Sequence, residues 1–306
     1  MPQYLPEPIE TYPGSWSYTP CDKHIIKAYE AAVAQQNKDP ELTAKYNALV
    51  GALRYPEESR PDISYVTGML SRCLTYPTET MYNYALRTLV YLGRTADYAI
   101  HYSKDTIDAD KLVISCDSDW SNRRSTGGYS CKVAGGTVKH RSRRQACIAM
   151  SSTESELMEL GNAALDVLPL VDVMQHCGIE FEHSTPVTFI LSKPHSHKLC
   201  HQALAAFDKG VDEKLHSPVE VKTDNKGAYD LCHREGPGTN TRHVERKYFK
   251  MRELRGSGLV RVSLVPTETN EADIFTKPLD RIPFERCRDA IMNRVAGYGL
   301  ARSKTV

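Results

Sequence analysis

Between His24 and about Thr95 the apolar residues recur at helical spacing. Val66, Met69, Leu70, Cys73 and Leu74 share one side of a helix that Arg60-Pro61-Asp62 opens and Pro77 stops. Met81, Tyr82, Ala85, Leu86, Leu89 and Val90 form the stripe of the next helix, with Gly93 placed to end it. Residues 1–22, rich in Pro, Tyr and Ser, show no such period and predict a tail or linker.

The period shortens near residue 101. Strands are expected at about 111–117, 128–133 and 137–149, with Gly135-Gly136 turning the chain between the last two. A strong amphipathic helix covers 151–174, and Ser151 and Glu154 have the spacing of a capping box at its start. Residues 178–217 are polar and His-rich, with one strand-like run at 187–191. A strand at 219–223 follows, then a short helix, a basic helix at about 242–255 and a strand at 260–265. A short helix over 269–277 ends at Pro278, and a final helix spans about 284–295. This order predicts an α/β layer domain with a mixed sheet. The expected organisation is a tail at 1–22, a helical region at 23–100, an α/β domain at 101–297 with an insertion at about 178–217, and a tail at 298–306.

Composition adds little: 306 residues, 41% hydrophobic and 25% charged, are ordinary for a soluble globular chain. No apolar run approaches the roughly 18 residues of a membrane helix. The start, Met1-Pro2-Gln3-Tyr4-Leu5-Pro6, has neither a basic nor an apolar stretch, so no secretory signal is expected. The nine cysteines form no Cys-x-x-Cys pair, which predicts reduced thiols in a cytoplasmic or nuclear protein. His195, His197, Cys200 and His201 lie close together in the insertion, but no paired ligand motif accompanies them, and an exposed polar loop is the better reading than zinc.

Charge changes the picture locally. The net charge is only +1, yet Arg123, Arg124, Lys132, Lys139, His140, Arg141, Arg143 and Arg144 cluster in one stretch. Arg242, His243, Arg246, Lys247, Lys250, Arg252 and Arg255 form another. Either could be a solvated face. Interspersed with them are carboxylates in odd places. In "VISCDSDW" the strand period sends Ser115, Asp117 and Asp119 to one face, and a buried strand does not end in acids without reason. On the 151–174 helix, Glu156 borders the stripe of Leu157, Leu160, Ala164, Val167, Leu168 and Val171, whereas Glu159 points further away and Glu154 has a capping role available. Asp224 ends a strand and could cap the next helix, although Asn225 could do so equally. Asp273 could be a helix-start charge favoured by the dipole. Taken together, four clustered acids would repel and raise one another's pKa values. Mg²⁺ or Mn²⁺ would relieve that.

The stretches "YNALVGALRY", "RPDISYVTGMLSR", "CDSDWSNRRSTGGYS", "SRRQACIAMSSTESELMEL", "KTDNKGAYDL", "TRHVERKYFKMREL" and "VPTETNEADIFTKPL" resemble, in order, the end of the pol polyprotein of copia-type LTR retrotransposons. From about residue 47 to 290 the chain is similar to the last part of reverse transcriptase followed by a ribonuclease H domain. The resemblance implies a ribonuclease H-like five-stranded mixed sheet with flanking helices, preceded by a small helical region. It implies an endonuclease that cuts the RNA strand of an RNA–DNA hybrid with two Mg²⁺, for which Mn²⁺ can substitute, held by Asp117, Glu156, Asp224 and Asp273. Arg143, Arg144, Asn225, Arg242, His243, Arg246 and Lys247 are the expected nucleic-acid contacts, and an upstream reverse transcriptase domain is an expected partner. Departures matter too. No Asp-Asp pair occurs anywhere, so no polymerase activity is expected. The insertion exceeds the family's short link, and "VPTETNE" lacks the histidine that cellular ribonucleases H often carry there. The alternative is a non-catalytic retrotransposon remnant that binds nucleic acid or a partner protein. A third reading, an integrase- or resolvase-like DNA nuclease, fits the "KTDNKGAYDL" and "NEADIFTKPL" contexts less well.

Overall fold

Local chemistry explains where the helices start. The structure, a computed structural model, describes residues 2–36, 38–106, 111–121, 124–176, 219–234, 245–256 and 259–294. In the N-terminal third, α1 (His24–Gln35) ends where Gln36 takes a left-handed conformation. The start of α2 (Pro40–Arg54) is set by Asp39, whose side chain accepts from the Glu41 and Leu42 N–H groups at 3.0 and 3.1 Å, with Pro40 in the first turn. Arg60-Pro61-Asp62 opens a single 3-10 turn, Pro61–Ile63, that runs into a short α3 (Ser64–Leu70). Thr78 caps α4 (Glu79–Arg94), which passes through Gly93 instead of ending there. Residues 2–22, expected as a tail or linker, are packed on α4. Arg94 donates to the carbonyls of Ile9, Tyr12 and Pro13, and Arg87 holds Thr19 and Asp22.

The five strands are β1 (Val113–Asp119), β2 (Thr126–Val133), β3 (Gly136–Arg144), β4 (Val219–Thr223) and β5 (Val260–Leu264). They form one mixed sheet in the order β3-β2-β1-β4-β5. The pairs β1–β2 and β2–β3 are antiparallel; β1–β4 and β4–β5 are parallel. The β2–β3 turn uses positive φ at Ala134 and Gly135. The third strand stops at Arg144, five residues short of the expected end. Ile148, an apolar residue that extended the expectation, points into solvent.

One face of the sheet is covered by α5 (Ser152–His176), α6 (Lys226–His233) and α7 (Glu245–Gly256). Leu157, Leu160, Val167, Leu168 and Val171 of α5 pack there with Ile114, Cys116, Tyr129 and Val221. The other face is covered by the N-terminal helices together with a 3-10 turn, Glu271–Phe275, and α8 (Arg281–Ile291). Ala272, Ile274, Phe275, Phe284 and Ile291 belong to the same core as Leu49, Leu53, Met69 and Leu89. This five-stranded mixed sheet with flanking helices and a helical region before it is the ribonuclease H-like architecture that the resemblance implies. Two adjacent glycines on β2 allow both layers to approach the sheet. A Cβ on Gly127 would meet Glu159 of α5 at 2.1 Å, and one on Gly128 would meet Phe275 at 2.3 Å on the opposite side. No described helix is long and apolar enough to cross a membrane.

Candidate metal centre

Three of the four expected carboxylates converge at the open end of the central strands. Asp117 near the end of β1, Asp224 just past β4 and Asp273 in the 3-10 turn each offer an oxygen within 4.8 Å of the others. Asp117 and Asp273 are buried and Asp224 is half-buried. The parallel pairing of β1 with β4 sends both strand ends the same way. Capping resolves the competing roles. Asn225, not Asp224, caps α6 by accepting from the Ala228 N–H at 2.9 Å, which leaves the Asp224 carboxylate for the cluster. Asn270 caps the turn that carries Asp273, and its side-chain amide donates to the Cys116 carbonyl at 2.9 Å.

The three glutamates of α5 separate in the same way. Glu154 accepts from the Met150 N–H at 2.6 Å while Ser151 accepts from the Glu154 N–H at 3.1 Å, a reciprocal cap. Glu159 lies 3.1 Å from Arg141. Glu156 faces β1: its Oε1 accepts from the Ser118 N–H at 3.1 Å, and its Oε2 is buried with no hydrogen-bond partner. Glu156 stands beside the trio, not within its 4.8 Å group. Asp119, two residues from Asp117, is exposed and outside it.

Electrostatics follow from the crowding. Burial pushes the Glu156 carboxyl well above the usual range, and the charges of Asp117 and Asp224 add to it. Burial and the Asp117 charge raise Asp273 to about 6, against the pull of Lys277. Lys277 is the one cation in contact among the described residues. Its Nζ lies 2.8 Å from Asp273 Oδ1 and 3.7 Å from Asp117 Oδ2. The Asp273 oxygen is thus paired with the ammonium, and Glu156 Oε2 is the buried carboxylate oxygen left without a partner among the described residues. Four acids against one ammonium form an oxygen-only donor set suited to hard divalent cations.

Sequence reasoning missed the residues that hold this arrangement. Thr276 donates to Asp117 Oδ2. Glu271 accepts from Ser115 and Ser130 and pairs with Lys132 at 2.6 Å, pinning the turn to β1 and β2. The i,i+4 spacing of Asp273 and Lys277 was the available signal for Lys277; nothing local marked Glu271. Among the expected nucleic-acid contacts, Arg143 is exposed and Arg144 half-buried at the end of β3, on the edge strand. Asn225 is occupied as a cap. Arg242, His243, the His/Cys group at 195–201 and the 178–217 insertion lie outside the described residues, and of Arg246 and Lys247 only their helix, α7, is described.

No family model matches the chain. A retrovirus-related Pol polyprotein from transposon RE2 of Arabidopsis thaliana is 27% identical over 252 residues, 81% of this chain but 15% of that polyprotein. The chain therefore spans about a seventh of such relatives. Secreted RxLR effector protein 161 of Plasmopara viticola is 37% identical over 128 residues, 40% of this chain and 89% of the effector. Among solved structures, the N-terminal RNase H domain of a Mycobacterium tuberculosis protein, fused to maltose-binding protein, is similar at a TM-score of 0.34 and 12% identity. It covers 60% of this chain and 99% of the solved one.

Proposed function

We propose that this chain, which is homologous to retrovirus-related Pol polyproteins of copia-type retrotransposons, is a ribonuclease H that cuts the RNA strand of an RNA–DNA hybrid. The observation that carries the reading is the convergence of Asp117, Asp224 and Asp273 with Glu156 beside them, undercompensated by cations. Asp117, Glu156, Asp224 and Asp273 would hold the divalent ions, preferably Mg²⁺. Bound there, such ions supply positive charge to the scissile phosphodiester and acidify a water nucleophile.

The remaining roles fall to the chain itself. Glu156 orients the β1 end through the Ser118 N–H while keeping its second oxygen free. Glu271 and Asn270 hold the turn so that Asp273 stays opposite Asp117. Thr276 fixes the Asp117 carboxylate. The basic residues Arg143 and Arg144 attract the duplex backbone, and 2′-hydroxyl contacts select the RNA strand. An upstream reverse transcriptase domain is the natural neighbour, since this chain carries no Asp-Asp pair of its own. The test is cleavage of a labelled hybrid by the whole chain with Mg²⁺. Cutting that disappears in chelator and in Asp117→Asn supports the reading. Hybrid binding without any cutting would favour the non-catalytic remnant instead.

A further inference from the structure

The turn that carries Asp273 touches the sheet at a point where the sheet has no side chain. Asp117 of β1, Gly128 of β2 and Ser142 of β3 are cross-strand partners in one row, so they address the same face. On that face, the Cβ that Gly128 lacks would stand 2.3 Å from the Phe275 Cβ and 3.2 Å from the Phe275 carbonyl carbon. Ser142 donates to the Phe275 carbonyl at 2.5 Å. Phe275 is thus seated by its backbone on the row of Asp117, and the next residue, Thr276, donates to Asp117 itself. The neighbouring row gives the turn a second foot, because Glu271 accepts from Ser115 and Ser130.

This seat is held from both sides. The Phe275 side chain is fully buried in the core that also holds Leu49, Leu53, Met69 and Leu89 of the helical layer, and the His140 ring stacks on it at 5.8 Å between centroids. On the opposite face, α5 presses on β2, where a Cβ on Gly127 would meet the carboxylate end of Glu159. The two glycines therefore differ. An intruder at Gly127 meets the end of a flexible side chain. One at Gly128 meets a Cβ and backbone, and ordinary carbon contact at about 3.5–4.0 Å requires the turn to lift by roughly 1 Å or more. Mg²⁺ binds its oxygens at about 2.0–2.1 Å in near-ideal octahedral geometry. A shift of that size between Asp117 and Asp273 is enough to break a shared coordination sphere.

We infer that Gly128 is a positioning residue of the metal centre. Its missing side chain lets the helical layer press Phe275 onto the sheet, and that contact sets the spacing of Asp273 from Asp117. The inference rests on the metal-binding reading above.

The experiment titrates the whole chain with Mn²⁺ by electron paramagnetic resonance, at a temperature where circular dichroism shows each variant folded. Gly128→Ala should weaken Mn²⁺ binding about ten- to a hundredfold, the range for residues that orient metal ligands. The Mg²⁺ concentration for half-maximal hybrid cleavage should rise by the same factor. Ser142→Ala, which removes the hydrogen bond to Phe275 without adding bulk, should weaken Mn²⁺ binding severalfold. Gly127→Ala should lower the melting temperature and leave Mn²⁺ affinity at the parental value. A folded Gly128→Ala with parental Mn²⁺ affinity would overturn the inference, and so would equal weakening by Gly127→Ala, which would reduce both glycines to general packing. If Gly128→Ala does not fold, Ser142→Ala decides, and parental affinity in that variant would overturn the inference. A parent that binds no Mn²⁺ would overturn the metal-binding reading itself.

Discussion

Glu156 and Glu159 lie one turn apart on α5 and both are buried, yet their surroundings are opposite. Glu159 pairs with Arg141, which also reaches Asp166 and lies over the Tyr129 ring. The acid is neutralised where it is taken out of water, and the cluster braces α5 against β2 and β3. Glu156 turns toward Asp117 and Asp224 and meets no cation among the described residues. Folding alone does not explain a group of acids left in that condition. The difference teaches how to tell an architectural acid from one reserved for chemistry: the first has its counter-charge within the chain, the second awaits it from outside.

Breaking the reserved side should have the largest effect. Asp117→Asn and Glu156→Gln should each reduce Mg²⁺-dependent hybrid cleavage at least about a hundredfold, as loss of preorganised charge stabilisation does. Hybrid affinity should change little, and circular dichroism should show the fold intact. The effects should be strongly non-additive, since each breaks one site. Cleavage near the parental rate by both variants would remove the site assignment.

Breaking the braced side should cost stability instead. Arg141→Ala strands Glu159 and Asp166 and should lower the denaturant-derived stability by roughly 3–5 kcal/mol. Adding Glu159→Gln to that variant should recover part of the loss. An additive pair of losses would mean that the two residues do not brace each other.

A third measurement compares the two sides through pH. With metal chelated, the folded chain keeps protons on Asp273 up to about 6, whereas an unfolded aspartate releases them near about 3.9. The folded state therefore binds more protons in that window. Its contribution is fully present below about pH 4 and is lost as pH rises toward 6. Buried His140, held neutral by desolvation, works in the opposite direction, losing stability as pH falls below about 6.5. The informative quantity is thus the difference between parent and Asp273→Asn. Calorimetry in chelator should show the variant gaining relative stability from pH 4 to 6, and Mg²⁺ should reverse that gain at pH 7. A difference that stays flat with pH would mean that Asp273 is not crowded.

The smallest effects should come from the neighbours by sequence. Asp119→Asn should leave cleavage within a few-fold of the parent, because Asp119 lies outside the trio. Glu154→Gln should cost about 1 kcal/mol through a weakened cap. If Asp119→Asn abolished cutting while Asp117→Asn did not, the roles within β1 would be exchanged.

Much of this was legible in the chain. Helical periodicity set Glu156 toward the sheet, as found, but it sent Glu159 further away, whereas Glu159 is buried against Gly127 of β2 because Arg141 of β3 supplies its counter-charge. Strand periodicity put Asp117 with Ser115 on the face where Glu271 and Thr276 meet them. The capping box at Ser151 was local chemistry and reads directly. What misled was apolarity without partners: Ile148 extended the expected third strand, but it is exposed after the strand ends. Residues 2–22 looked like a tail because their anchors are Arg87 and Arg94, far along the chain.

Sequence by itself determined the order of elements, the mixed α/β character and the acids worth watching, because these depend on periodicity and capping within a few residues. Only tertiary structure decided that Asn225 caps α6 and frees Asp224, that Glu271 pins the last turn, and that α8 and the N-terminal helices share one core. It alone brought Lys277 to the carboxylates. The reason is physical: charge compensation depends on distances between residues far apart in sequence, and no local pattern encodes those distances.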